Sequence, residues 1–425
     1  LISLIPAISI LFKLKDINKV SIYFKIQTVI LGYFLLPVII SLPYYLSIYN
    51  ITFIDAYFEA ISGFTSTGFT IFDNIKHLDE SLIIWRSSSQ WIGGLYFLFS
   101  ILLLIDIFDD NLKKTLTNFL SFNSSEIFKQ FFKILVFYIF LTFIIFIIYN
   151  IFEIRSFNSL NLALTVVSSG GFLPSNNLAS ILNSEIKTIM FSLTLLVSFF
   201  GLFFSYNIFV IKNKGLKSVQ EDIYLLFYLF FLYSIFFIFS DKNIDFHYIF
   251  LAISSSVSNV GISLDKTTQN FSFIFLMIII IGGSFFSTSS GLRFIKIYSL
   301  VKFSINELIS HSKPKNIFLN KLAFSDKNMN IEDFYKYFLT IIIFLFSLII
   351  LSSILTISGY NVEESFKLSI LTLMNTVNST MTGLNGFNFE ETNYFLKYSL
   401  ILFMIIGRVE LLTVLILCKK FFFKN

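Results

Sequence analysis

The chain has 425 residues, 56% of them hydrophobic and 13% charged, with a formal net charge of +5 and a mean hydropathy of +0.80. Charged residues reach about a quarter of an ordinary soluble domain, so this composition excludes a soluble globular protein and points to a bilayer. The single Cys418 excludes a disulfide framework or thiolate metal cluster, and His77, His247 and His311 lie in unrelated segments that suggest no shared catalytic or metal site.

The opening run, residues 1–12, is about half a spanning length and is followed by Lys13 and Lys15. It reads as the tail of a helix that begins upstream, because a signal peptide places its basic residues first. Residues 1–25 thus form a helix end and a basic linker. From there apolar spans of about 20 residues recur in pairs, at 26–49 and 83–108, 130–152 and 186–211, 222–240 and 270–302, and 333–358 and 394–418. The pairs divide the chain into repeats at 26–110, 111–212, 213–303 and 333–425, with a cytoplasmic linker at 304–332. Between the members of each pair lies a segment, at 55–70, 157–173, 245–263 and 363–384, that opens with about ten helix-prone residues. Such a segment is too short to cross, so it enters and turns back, and irregular backbone at that depth needs protein or a water-filled cavity around it. The predicted fold is an all-α polytopic membrane protein of four pseudo-symmetric helix–pore loop–helix repeats around a central pore.

Basic residues set the orientation. Lys13, Lys15, Lys19 and Lys25, Lys113, Lys114, Lys129 and Lys133, Lys212, Lys214 and Lys217, Arg293, Lys296, Lys302, Lys313, Lys315, Lys321, Lys327 and Lys336, and Lys419, Lys420 and Lys424 place about 22 of the 31 basic residues on one side, which is therefore cytoplasmic. This basic face calls for no nucleic acid. The opposite side carries Asp55, Glu59, Asp73, Asp79, Glu80, Asp241, Asp245, Asp265, Glu363, Glu364, Glu390 and Glu391. These acids either concentrate cations at an outer mouth or cap the short helices and sit in water.

The turn-back segments have the composition of oxygen ligands. Thr65-Ser66-Thr67-Gly68-Phe69, Ser169-Gly170-Gly171-Phe172 and Asn259-Val260-Gly261-Ile262 each carry a Gly-hydrophobic step, and Asn375-Thr376-Val377-Asn378-Ser379 lacks the glycine. Extended backbone at such positions can aim successive carbonyls at a dehydrated cation, with the carboxyl ends of the short helices adding partial negative charge. Residues 282–291 interrupt the long span 270–302 with small and polar residues. The freed backbone there either lines a cavity or forms a packed kink that lets helices approach. Arg408 lies inside the last span, where a guanidinium must face a pore or a partner. Glu410 is too close in helical phase to be its natural mate.

The fourfold frame, Phe58-Glu59-Ala60-Ile61-Ser62-Gly63-Phe64 leading into Thr65-Ser66-Thr67-Gly68-Phe69, Gln90-Trp91-Ile92-Gly93-Gly94, Ile281-Gly282-Gly283-Ser284 through Gly291, and Gly407-Arg408-Val409-Glu410 together resemble the Trk/Ktr/HKT superfamily of potassium transporters, and within it the Trk-type membrane subunit. The resemblance runs from about residue 20 to 420. It implies potassium uptake across the inner (plasma) membrane, with no catalysis and no covalent cofactor, potassium being the substrate. It implies a filter built by Thr67 and Gly68, Gly170 and Gly171, Val260 and Gly261, and Val377 and Asn378, with potassium at Gly68, Gly171, Gly261 and Asn378. In the fourth loop the glycine-equivalent position falls at or next to Asn378 when aligned on Gly359 and Gly407-Arg408, or at Gly383 when Thr380-Met381-Thr382-Gly383 is matched to the first loop. A side chain at this place puts selectivity against sodium in question.

The resemblance further implies a gate of Gly283, Ser284, Ser287, Thr288 and Gly291 below the filter, with Arg408 raising the barrier to cations. A structural salt bridge is the other account of Arg408. The polar stretch 304–332 is too short for a nucleotide-binding fold, so the resemblance implies a separate cytoplasmic nucleotide-binding regulatory ring and a homodimer in the lipid bilayer. The rival readings are a secondary solute transporter with broken helices, built from two related halves, and a sodium-permeable channel of the same family.

Overall fold

The computed structural model describes residues 21–104, 127–176, 178–202, 204–205, 220–239, 245–264, 271–310, 331–384 and 387–409. The opening run 1–12, the basic residues at 13–19, 113–114, 212–217, 313–327 and 419–424, and His311, Asp241, Asp265, Glu410 and Cys418 lie outside the described residues.

Four outer helices, Ile22–Tyr45, Ile127–Ile151, Gln220–Phe239 and Ile331–Ile357, occupy the first span of each expected pair. Each contains a stretch long and apolar enough to cross a membrane. Each also turns large apolar side chains outward, among them Leu35, Phe143, Phe237 and Phe346. Such a surface is costly against water and at home against acyl chains.

A pore helix follows each outer helix: Phe53–Phe64, Ser156–Val167, Phe246–Val257 and Val362–Leu373, every one of 12 residues. At 1.5 Å per residue such a helix is about 18 Å long, well short of a hydrocarbon core of about 30 Å. The chain then turns and leaves through inner helices at Glu80–Leu103, Glu185–Phe199, Ser272–Ile280 continued by Phe294–Ser310, and Tyr394–Arg408. Two inner spans are interrupted, the third at the small and polar residues that the sequence had marked. The span expected at 186–211 is broken after Phe199, where the carbonyls of Ser198 and Phe199 are used by another segment, and is helical again at Leu202. The span expected at 270–302 breaks at Ile281–Gly282 and resumes after Leu292–Arg293, two short stretches paired in parallel.

The packing closes a ring. The inner helix of the first repeat packs on the second pore helix, that of the second on the third, that of the third on the fourth, and that of the fourth on the first. Polar pairs stitch the boundary between the first two repeats where no water competes: Ser87 Oγ donates to Asn161 Oδ1 on the second pore helix (2.8 Å), and Trp91 Nε1 to Thr142 Oγ1 on the second outer helix (3.0 Å). Two glycines let inner helices press on their own pore helices. A Cβ on Gly93 would strike the Phe64 carbonyl oxygen, and one on Gly407 that of Leu373. The fold is all-α and polytopic, as the apolar spans and their spacing required.

Candidate functional site

Backbone geometry sets the register of the four loops. Each pore helix ends in a residue that is followed at once by a left-handed one: Ser66 (φ 59°), Ser169 (φ 58°), Asn259 (φ 58°) and Asn375 (φ 48°). Counting two residues on from each gives Gly68, Gly171, Gly261 and Val377. The glycine-equivalent position of the fourth loop is therefore Val377, one residue before Asn378. Gly383 lies elsewhere, capping the short turn Thr380–Thr382. The four positions meet. A Cβ on Gly68 would stand 2.8 Å from Gly171 Cα and 3.1 Å from Val377 Cβ, and one on Gly171 would stand 2.6 Å from Val377 Cβ. A Cβ on Gly261 would stand 2.6 Å from the Val377 carbonyl oxygen. Gly68 (φ 86°) and Gly261 (φ 78°) are left-handed, but Gly171 and Val377 are not. The fourth loop thus needs no glycine to adopt its backbone, which is why valine fits there.

The loops also bond to one another. Ser169 Oγ donates to the Ser258 carbonyl, the Val377 amide lies 3.4 Å from the Val260 carbonyl, and Asn375 Nδ2 donates to Thr67 Oγ1 (3.0 Å). Gln90 Oε1 accepts the Phe172 amide at 3.2 Å, and occupies the space that a side chain on Gly170 would take. Asn378 projects differently, its Nδ2 3.4 Å from the Leu384 carbonyl. Of the residues read as filter, the structure brings Thr67, Gly68, Gly171, Val260, Gly261 and Val377 together, holds Gly170 one residue behind against Gln90, and sets Asn378 one residue beyond.

The segment 283–291 packs beneath these loops. The Ser284 amide donates to Phe199 O (3.0 Å), the Ser289 amide to Ser198 O (3.1 Å), and the Leu202 amide to Phe286 O (2.9 Å). Thr288 Oγ1 donates to Val167 O (2.7 Å), at the end of the second pore helix. Gly283 sits where a Cβ would strike the Phe199 carbonyl oxygen, and a Cβ on Gly291 (φ 80°) would stand 2.8 Å from Gly282 Cα. Ser287 Oγ turns inward to Ser284 O (2.7 Å). Arg408 spans the gap between this segment and the filter: one guanidinium nitrogen donates to Ser290 Oγ, another reaches Ser66 Oγ at 3.4 Å, and the group stacks 4.3 Å from the Phe97 ring. These partners are hydroxyls and a ring, and no carboxylate pairs with Arg408 among the described residues.

Several charged residues were misplaced by sequence reasoning. Arg293, counted among the cytoplasmic charges, is buried, and one of its guanidinium nitrogens donates to Ser284 O, Ser287 Oγ and Ser289 O (3.0–3.2 Å). Lys296 is also buried. Glu59, grouped with the outer-mouth acids, is fully buried and bonded to Arg86 Nε at 2.8 Å. Asp55 is bound by Lys397 Nζ at 2.6 Å. Glu363 does face water, and pairs with Lys367 one turn on. Glu221, unremarked in the sequence, accepts the Phe285 amide at 3.1 Å and Ser284 Oγ at 3.2 Å, while its neighbour Asp222 accepts the Gly201 amide (2.9 Å). An acidic pair opening an apolar span was the available signal for Glu221.

Fold and site together define a multi-pass membrane protein of four pore-loop repeats with a segment packed under the loops. No family model matches the chain. It is 25% identical over 428 residues to the Trk system potassium uptake protein TrkG of Escherichia coli, covering 93% of this chain and 84% of that protein. It is 22% identical over 401 residues to TrkH of the same organism (88% and 80%), and 23% identical over 395 residues to an uncharacterized cation transporter of Methanocaldococcus jannaschii (91% and 80%). The crystal structure of the potassium transporter TrkH from Vibrio parahaemolyticus superposes with a TM-score of 0.80 at 19% identity, covering 95% of this chain and 86% of that one, so the fold is shared. The resemblance to the Trk-type membrane subunit read from the motifs thus holds in sequence and in fold over nearly the whole chain.

Proposed function

We propose that this chain takes up potassium ions through the central pore enclosed by its four repeats, in the inner (plasma) membrane, and that it catalyses no reaction and binds no covalent cofactor. The observation that carries the reading is the meeting of Gly68, Gly171, Gly261 and Val377 at one place, each two residues beyond a left-handed turn at the end of a pore helix. Four loops around one axis can replace a cation's water shell with backbone oxygens. The four pore helices end there too, with their partial negative charge toward the axis. The segment 283–291 and Arg408 form the gate, standing where a cation leaving the filter must pass. The relatives' names supply the ion, potassium. A homodimer in the lipid bilayer and a cytoplasmic nucleotide-binding ring that sets the gate complete the proposal.

The test is growth on low potassium of a bacterium that lacks its own potassium uptake. The unmutated chain, supplied with a regulatory subunit, restores growth, and Gly68→Asp or Gly261→Asp abolishes it. Failure of the unmutated chain despite verified insertion overturns the reading. Sodium-permeable conduction is the second reading, because a valine stands in the fourth position; sodium uptake equal to potassium uptake in the same cells would select it.

A further inference from the structure

The outward ends of the first and second loops are tied to a single buried ion pair. Glu59, in the middle of the first pore helix, and Arg86, on the inner helix of the same repeat, have side chains 0% and 1% exposed. Every bond of the Glu59 carboxylate other than that to Arg86 goes to the two residues that follow the first filter segment: Oε1 accepts Thr70 Oγ1 (3.0 Å) and Oε2 accepts the Ile71 amide (2.9 Å). Arg86 adds a bond from Nη2 to Thr70 Oγ1 (2.9 Å). Its guanidinium lies 4.2 Å from the ring of Phe172, the residue after Gly171 in the second loop, and 5.7 Å from that of Phe72.

The same two loops share a second restraint. Ser62 Oγ donates to the Phe69 carbonyl (2.6 Å) and Thr165 Oγ1 to the Phe172 carbonyl (3.0 Å), each hydroxyl lying six residues before the filter glycine. The third and fourth repeats lack this bond. Ser255 at the matching place has no hydrogen-bond partner for its hydroxyl, and the fourth repeat has Leu371 there. The first two loops therefore share this restraint, whereas the outer ends of the third and fourth are joined to each other instead, through Ser263 Oγ and Thr380 Oγ1 (2.6 Å).

We propose that the Glu59–Arg86 pair is a positioning device for cation selectivity: it holds the outer ends of the first two filter loops as one unit, beside which the third and fourth loops complete the ring around the ion. An ion pair is suited to this because its partners are fixed in direction as well as distance. In a dry site, moreover, neither group can exchange its partner for water. The inference rests on the cation-pore reading above.

The test uses the full chain in proteoliposomes, with potassium and sodium uptake measured side by side and protein level checked in the membrane. Glu59→Gln, and separately Arg86→Lys, which keeps the charge but loses the fork that reaches Thr70, lower the preference for potassium over sodium by about threefold or more, the scale of coupling within one side-chain network. Glu59→Gln with Arg86→Gln, a neutral pair able to bond in the same place, recovers part of it. A wild-type preference in either single variant present at wild-type level overturns the proposal. So does loss of all three variants from the membrane, which would make the pair a folding element only. The unmutated chain separates the two claims: if it carries sodium but no potassium, the potassium reading falls, and the shift in cation preference on substitution still decides the role of the pair.

Discussion

Val377 changes what the fourth loop means. A side chain at a filter-glycine position suggests a compromised filter, but the backbone there is not left-handed, and the Val377 Cβ fills space that Gly171 leaves open. The two positions are complementary, so substitutions at them couple. Gly171→Ala brings a second Cβ to 2.6 Å from Val377 Cβ, an overpacking that costs about 1–3 kcal/mol, and lowers potassium uptake roughly tenfold. Adding Val377→Gly restores most of it. Uptake by the double variant no better than by Gly171→Ala alone would show that the loops do not interlock this way. Arg408 is the other side chain with a separable effect. Its guanidinium stands between the first loop and the segment 283–291, bonded to Ser66 and Ser290, and under the proposed gating role a single charge at low local dielectric would raise the barrier to a cation by more than the ~1.4 kcal/mol that a tenfold rate requires. Arg408→Gln should raise rubidium flux without the regulatory subunit by about tenfold; unchanged flux with lost protein would assign the residue to folding alone.

The segment 283–291 is held from four directions, and its anchors differ in kind. The carbonyls of Ser198 and Phe199 are available because the second inner helix is broken after Phe199. Arg293 ties the segment to itself, Thr288 rests on the second pore helix, and the Glu221 carboxylate holds Phe285 and Ser284 from the start of the third outer helix. An intramolecular hydrogen bond contributes about 0.5–1.5 kcal/mol net, and leaving a buried donor unmet costs about 1–3 kcal/mol. Glu221→Ala should therefore raise regulator-independent leak by roughly tenfold or more, read as rubidium flux from proteoliposomes; flux equal to wild type would mean the other anchors suffice. The segment itself was legible in the sequence, since small and polar residues cannot continue an apolar span. Its anchors were not: Glu221 lies about 64 residues before Phe285, and no periodicity links residues so far apart. The fourth-loop register was hidden for a related reason. The landmark shared by all four loops is a left-handed Ser or Asn, a conformation that Asn tolerates and that sequence alone does not reveal.

The ring has one seam that the order of synthesis cannot close early. Three contacts of inner helix on next pore helix join consecutive repeats, but the fourth joins Tyr394–Arg408 to Phe53–Phe64, across 342 residues at the Lys397–Asp55 pair. Asn375 to Thr67 and Arg408 to Ser66 cross the same seam, so its closure brings the fourth loop and Arg408 to the first loop together. Lys397 is nearly fully buried, and donates both to Asp55 Oδ1 (2.6 Å) and to the Glu390 carbonyl (2.8 Å). Removing one member of such a pair leaves the other charged and dry, at a cost of about 3–5 kcal/mol, whereas removing both is far cheaper. Lys397→Met should therefore lower the unfolding temperature of the detergent-solubilised protein markedly, and Lys397→Met with Asp55→Asn should recover most of the loss. Wild-type stability in the single variant would mean that apolar packing alone seals the ring. Recovery in the double variant, with the filter contacts of Asn375 and Arg408 re-formed, would identify the Lys397–Asp55 pair as the closure that turns four consecutive repeats into one pore.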